Sequence, residues 1–176
     1  NILLKLLSCS VKEIIFGQSL DVSFNHIDIN DDQLRKIAIE KTAPLIAMPM
    51  MGMFQCKELT EDECSALKEI SNELGLAYQY LNDIENIFGC EQEASSDLLK
   101  GRPNLMVIKI LNTLSNSEKK IIINEPMKLG SLISKKTFEE SRDDISEILI
   151  NAMSNIHRLP VIIQPVIKSL KDEINK

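Results

Sequence analysis

Aromatic residues make up only 4% of this chain, and glycine and proline number six each. Leu and Ile dominate instead, with Lys and Glu frequent, a composition that favours helices over turn-rich sheet architectures. No strand-like alternation and no internal repeat is found. The four cysteines, Cys9, Cys56, Cys64 and Cys90, form no CxxC pair and have no histidine cluster nearby. That excludes the usual zinc spacings and reads as reduced thiols of a cytoplasmic protein. Nor is there an apolar run of about 18 residues, so no transmembrane span is expected. Basic excess is missing too: 20 Lys and Arg face 26 Asp and Glu, a net charge of −6. A nucleic-acid partner wants a basic footprint, and an anionic membrane surface wants cations, so neither is expected. The segment Asn1-Ile-Leu-Leu-Lys5 has no signal-peptide pattern and no initiator Met, so we expect the chain to begin partway through a longer protein.

What is present is 176 residues, 44% hydrophobic and 26% charged, sized for one domain, 1–176, with a sizeable core. Apolar spacing predicts a helix from Ile2 to about Asn25 and a connector over His26 to Ile29. Asn30 with Gln33 forms a capping-box pattern and opens the next helix. Pro44 and Pro49 should kink or stop that helix, since each removes a backbone hydrogen bond. Thr60 with Glu63 is a second capping box, opening a helix that runs to about Phe88 with Gly89 as its stop. A polar loop follows over Cys90 to Ser96. Pro103 is expected early in the next helix, through Leu114, and Ser117-Glu118 begins a short one. Phe138 to Ile156 is amphipathic, and a last helix punctuated by Pro160 and Pro165 ends in Lys171 to Lys176. The Met-rich stretch Met48 to Met53 reads as adaptable core. The expected class is all-α.

One segment stands apart. At roughly 100° per residue, Asn72, Gly75, Gln79, Asn82, Asp83 and Asn86 share one stripe of the third helix. Leu74, Ala77, Leu81, Ile84 and Phe88 lie on the opposite side. A solvated face normally carries Lys and Glu, whereas this one carries amides and a carboxylate, which are poorer helix formers. Oxygen donors at i, i+3, i+4 and i+7 suit a hard cation such as Mg²⁺, and a merely polar surface stripe is the alternative.

Gln79-Tyr-Leu-Asn-Asp-Ile-Glu-Asn86 resembles the second aspartate-rich motif, Q-x-x-D-D-x-x-D, of the trans-isoprenyl diphosphate synthases, the polyprenyl synthetase family. Three further segments agree in order and spacing. Gly17-Gln18-x-x-Asp21 is similar to the family's GQ-x-x-D helix, and Lys41-Thr42-Ala43 to its KTA motif. Ser96-Asp97-Leu-Leu-Lys-Gly-Arg102-Pro-Asn-Leu105 is similar to its S-D-x-x-x-G-K loop. The resemblance implies an all-α helical bundle around a deep central cavity, with the N-terminal helices missing from this chain. It implies a Mg²⁺-dependent prenyltransferase that condenses isopentenyl diphosphate with an allylic diphosphate, or transfers a prenyl chain to an acceptor. The physical logic is neutralisation of a diphosphate leaving group, with water kept from the allylic cation. A homodimer or heterodimer is implied as well.

Carried over residue by residue, the resemblance makes Asp83 a Mg²⁺ ligand, with Asn82 and Asn86 as further metal-facing positions. Gln79 would bond near the diphosphate or the metal shell. Lys41 would pair with the allylic diphosphate, and Thr42 would stabilise the developing cation. Lys100 and Arg102 are further diphosphate-binding candidates, and guanidinium binds phosphate well. Gln18 and Asp21 would line the cavity.

Two departures bear on activity. Asn82 and Asn86 stand where the pattern has aspartates, and an amide oxygen brings no charge to a cation. The family's first aspartate-rich motif is not found. Asp28, Asp31 and Asp32 are accounted for by capping, and Arg142-Asp143-Asp144 by a solvated helix face. The softened motif therefore leaves two alternatives: a non-catalytic subunit that tunes a partner synthase, and a class I terpene cyclase. Lys41 and Gln18 favour the synthase over the cyclase.

Overall fold

A computed structural model of the chain describes residues 2–24, 29–53, 59–88, 101–125, 128, 132 and 134–175. Among these the regular structure is helical and no strand occurs. The long helices are α1 (Ile2–Ser23), α2 (Asp31–Met53), α3 (Glu61–Phe88) and α6 (Lys135–Ser154). The shorter ones are α4 (Leu105–Thr113), α5 (Asn116–Asn124) and α7 (Gln164–Ile174), with a 3₁₀ turn at Ile156–Arg158. The all-α expectation holds.

Local chemistry explains most helix starts. Asn30 Oδ1 accepts from Gln33 N–H at 2.9 Å, while Asn30 N–H donates to Gln33 Oε1 at 3.0 Å. Thr60 and Glu63 repeat the reciprocal pair at 3.2 and 2.8 Å. Both boxes sit where the sequence predicts them and satisfy amides that a helix N-terminus leaves unpaired. Ser115 with Glu118 is a third box, so α5 starts at Asn116, ahead of the expected Ser117. Pro103 is corrected by one step of the same logic: Asn104 caps α4, and the proline lies before the helix instead of within it.

The prolines of α2 do not end it. The helix passes through Pro44 and Pro49 and continues to Met53, so of the expected kink or stop, the stop does not occur. An interior proline costs about 3 kcal/mol in isolation. Tertiary burial offsets that cost here, because Thr42, Ala43, Pro44 and Met50 are all buried.

Helix α3 is the central element, packed against α2 on one side and α6 on another, with α4 and α7 also in contact. Leu67, Ile70, Leu74, Leu76 and Ala77 are fully buried on it. Together with Ile37 and Ala38 of α2, Met106 and Ile108 of α4, and Leu149 and Ala152 of α6, they form one core. Ion pairs tie its edges: Arg35 to Glu73 at 2.6 Å, Lys109 to Asp144 at 2.7 Å, and Arg158 to both Asp62 and Glu69. Asp144, expected on a solvated face, is thus half-buried and paired across to α4.

Two glycines set the spacing around α2. A Cβ on Gly17 would lie 2.5 Å from the Lys41 nitrogen and 2.6 Å from the Glu40 carbonyl carbon. A Cβ on Gly75 would lie 2.7 Å from the Ala43 nitrogen. Backbone atoms cannot yield as a flexible side chain does, so α1 and α3 both approach one turn of α2 as only glycine permits. Gly17→Ala and Gly75→Ala are each expected to destabilise the fold by about 1–3 kcal/mol, the usual range for overpacking. Gly52, whose Cβ would meet nothing nearer than a Leu3 methyl at 3.9 Å, serves as control. Alanine there should be neutral or stabilising by up to about 1 kcal/mol through helix propensity. Urea unfolding midpoints of the three variants check this, and equal effects at all three would refute it.

Candidate functional site

The turn of α2 held between the two glycines is Lys41-Thr42-Ala43. Lys41 Nζ lies 3.3 Å from Asp21 Oδ1 of α1, and both side chains are mostly buried, 20% and 8% exposed. Thr42, also buried, donates from Oγ1 to Gln79 Oε1 of α3 at 3.4 Å. Gln79 Nε2 in turn donates to Asp83 Oδ1 at 2.9 Å, one helical turn on. Asp83 Oδ2 accepts the Leu105 N–H, the first amide of α4, at 2.9 Å. A polar chain thus runs from α1 and α2 through α3 to the start of α4, using Asp21, Lys41, Thr42, Gln79 and Asp83.

The stripe predicted on α3 is divided by its neighbours. Gly75 is packed under α2, Gln79 is half-buried, and Asp83 is only 3% exposed. Asn82 is half-buried, and Asn86 is exposed. Leu74, Ala77 and Ile84 are buried as expected, but so are Leu76 and Tyr80, which the two-sided reading did not assign to the core. The helix is enclosed on most sides at its middle, and its stripe is an internal seam more than an open face. Gln18 is exposed on α1, and Arg102 is half-buried ahead of α4. Lys100, Ser96 and Asp97 lie outside the described residues, as do His26 and Asp28.

Two cavities flank the Lys41-Thr42-Ala43 turn. One of about 540 Å³ is lined by Thr42, Tyr78, Asn82, Glu85, Leu170 and Ile174 among others. The second, of about 560 Å³, lies between α1, α2 and α3, and Leu6, Phe16, Ala43, Pro44, Ala47 and Met51 supply its apolar lining. Thr42 therefore faces one space and Ala43 the other.

Sequence reasoning missed Asn104. Its side chain accepts from Met106 N–H at 2.9 Å and Val107 N–H at 3.3 Å, and its Nδ2 donates to the Asp83 carbonyl at 3.1 Å. The signal was available as an N-cap residue directly before an apolar run. Gly101 has φ 67°, a left-handed conformation that suits glycine and turns the chain into Arg102-Pro103-Asn104.

As a Mg²⁺ site the described residues do not suffice. No three Asp, Glu, His or Cys side chains converge among them. The carboxylate that the resemblance assigns to metal is enclosed, with both oxygens on protein donors. Asn82 and Asn86 contribute neutral oxygens only.

Burial pushes the Asp83 carboxyl up to about 7 from an ordinary 3.8, although the Leu105 amide, Gln79 and Lys41 pull the other way. The folded state therefore holds this proton more tightly than the unfolded chain does. Its contribution to stability is complete below about pH 4 and is lost as pH rises through about 7. Asp83→Asn, which keeps an acceptor oxygen and carries no charge, should remove that component. The stability of the variant relative to the parent should then rise between pH 5 and pH 8 in urea titrations. A difference that stays flat or falls over that range would contradict the assignment.

Comparison with known proteins bears on the family and the fold. A family model described as polyprenyl synthetase matches residues 1–149. The chain is 27% identical over 177 residues to a geranylgeranyl diphosphate synthase of Saccharolobus solfataricus, covering 92% of this chain and 53% of that protein. It is 30% identical over 125 residues to a short chain isoprenyl diphosphate synthase of Methanocaldococcus jannaschii, covering 68% of this chain and 38% of the relative. The chain thus spans about half the length, or less, of these curated relatives. Among solved structures, a geranylgeranyl pyrophosphate synthase from Lactobacillus brevis superposes with a TM-score of 0.85 at 20% identity, covering 99% of this chain and 58% of the other. A decaprenyl diphosphate synthase from Rhodobacter capsulatus does so with 0.83 at 18% identity, covering 99% and 59%. These likenesses carry the fold, and the family match carries the membership: the chain belongs to the polyprenyl synthetase family.

Proposed function

We propose that this chain supplies the diphosphate-handling half of a prenyltransferase that extends an allylic diphosphate with isopentenyl diphosphate. The observation that carries the reading is the convergence of Asp21, Lys41, Thr42 and Gln79 from three helices on one turn of α2. The relatives named above are synthases of this kind, and family membership supports the same reaction class here.

In this reading Lys41 exchanges part of its pairing with Asp21 for the allylic diphosphate. Charge-assisted contacts of that type are worth more than neutral ones. Thr42 and Gln79 present fixed dipoles beside it, and Arg102 contributes guanidinium donors from the α4 side. The cavity beside Ala43, with apolar walls from Leu6, Phe16, Pro44, Ala47 and Met51 and with Lys12, Glu13 and Lys68 also on it, offers a prenyl chain a space. Asp21, on α1, holds Lys41 in place. Mg²⁺ belongs to the proposal as the counter-ion of the diphosphates, with its charge-balancing carboxylates drawn from beyond the described residues. The chain is read as one domain working in the cytoplasm as a homodimer or heterodimer. Among the described residues no helix is long and apolar enough to cross a membrane.

A second reading rests on the neutral Asn82 and Asn86 and the enclosed Asp83: a subunit that binds and tunes an active partner. The two are separated by incubating the full-length protein with labelled isopentenyl diphosphate, an allylic diphosphate and Mg²⁺. An elongated prenyl product is expected, and Lys41→Ala should lower kcat/KM roughly 10- to 100-fold, the weight of a lost charged hydrogen bond. No product alone or with an acceptor peptide would sink the enzyme reading. Recovery of synthesis only on mixing with a second synthase would establish the subunit.

A further inference from the structure

Helices α3 and α4 are joined at Asp83 by a set of bonds that engages both of its carboxylate oxygens. Oδ1 takes Gln79 Nε2 and Oδ2 takes the Leu105 amide, while the Asp83 carbonyl takes Asn104 Nδ2. A helix N-terminus leaves its first amides without partners inside the helix. Here the first three of α4 are all supplied, Leu105 by Asp83 and Met106 and Val107 by Asn104. A cation at Asp83 would have to share each oxygen with a protein donor, on a side chain that is only 3% exposed. Asn82, one residue earlier, is half-buried and lines the 540 Å³ cavity together with Thr42 and Glu85.

We propose that Asp83 is a positioning residue and not a metal ligand. Its carboxylate fixes the start of α4, and so the Gly101-Arg102-Pro103 approach to it, against α3. The cation-facing position of the motif is Asn82, and it is neutral. Only the part concerning Asn82 rests on the prenyltransferase reading; the anchor at Leu105 stands on geometry alone.

Two measurements on the full-length protein test this without recourse to turnover. One is hydrogen exchange of the Leu105 amide; the other is Mn²⁺ affinity by electron paramagnetic resonance. Loss of this buried acceptor should speed Leu105 exchange about tenfold or more in Asp83→Ala, or in Asp83→Ser if the alanine variant does not fold. Asp83→Asn should hold the Leu105 amide and leave Mn²⁺ affinity changed by less than about tenfold. Asn82→Asp, which restores a charged oxygen to the cavity, should tighten Mn²⁺ about tenfold or more. Unchanged Leu105 exchange in the Ala or Ser variant overturns the anchor. A tenfold or greater loss of Mn²⁺ affinity in Asp83→Asn with the Leu105 amide still protected makes Asp83 a ligand and overturns the proposal. Absence of Mn²⁺ binding in every variant overturns the role of Asn82 and the metal reading of α3, while the Leu105 arm still decides the anchor.

Discussion

The close approach of α1 and α3 to a single turn of α2 governs where every polar group of the site can stand. At Gly17 and at Gly75 the neighbouring backbone comes within 2.5 to 2.7 Å of where a Cβ would be. A protein interior transmits such displacements because it is packed to crystal-like density. Were either helix to stand off by the width of a methyl group, the 3.3 Å pair of Lys41 with Asp21 and the 3.4 Å contact of Thr42 with Gln79 would open. Both are already long, so little slack remains. The same compression accounts for the prolines of α2. A helix held on both sides keeps its course where an isolated one would break.

Charge in this site is sparse and mostly spent. Taking Lys41 and Asp21 out of water is expensive, and their mutual attraction repays it only in part. Such a pair contributes less to folding than it does to placing an ammonium group at a fixed point beside Thr42. Gln79 then acts as a coupler: its oxygen accepts from Thr42 and its nitrogen donates to Asp83. The amide is oriented by two partners of opposite demand, so a shift at α4 is felt at Thr42 through one side chain. That linkage is why the α3–α4 junction bears on an α2 residue it never touches.

Much of this was legible in the sequence. The capping boxes at Asn30 and Thr60 depend on neighbours three residues apart, and local chemistry of that range reads directly. The four motif segments also placed Lys41, Thr42, Gln79 and Asp83 on adjacent helices. What escaped were features decided by contacts distant in sequence. A helical wheel assigned Gln79, Asn82 and Asp83 to one polar face, but it cannot say that α2 and α4 cover that face. Burial of Leu76 and Tyr80 beside Leu74 and Ala77 comes from α3 having neighbours on most sides, which periodicity alone does not announce. The stop that Pro44 offers does not occur for the same reason, since propensity yields to packing where that residue is buried. Asn104 was simply overlooked, although its place before an apolar run was sufficient.

The neutral second motif takes on a physical meaning once Asp83 is seen inside the protein. Of the three carboxylates in the family pattern, two are amides here, and the third is enclosed with its proton held up to about pH 7. In the proposed reading, the α3 wall then presents little negative charge to an incoming diphosphate at neutral pH. A charge-poor wall repels the polyanion less, which strengthens the relative weight of Lys41 and Arg102. It also holds a divalent ion less firmly, because amide oxygens coordinate without neutralising. The balance between substrate and metal is thereby tilted toward direct cation–phosphate contact. Glu85, exposed at the cavity edge, is the one nearby carboxylate on α3 placed to restore some of that charge. The bond of Asp83 to Leu105 serves the fold, a role that asks for an acceptor at this position whether or not a metal ion is held nearby.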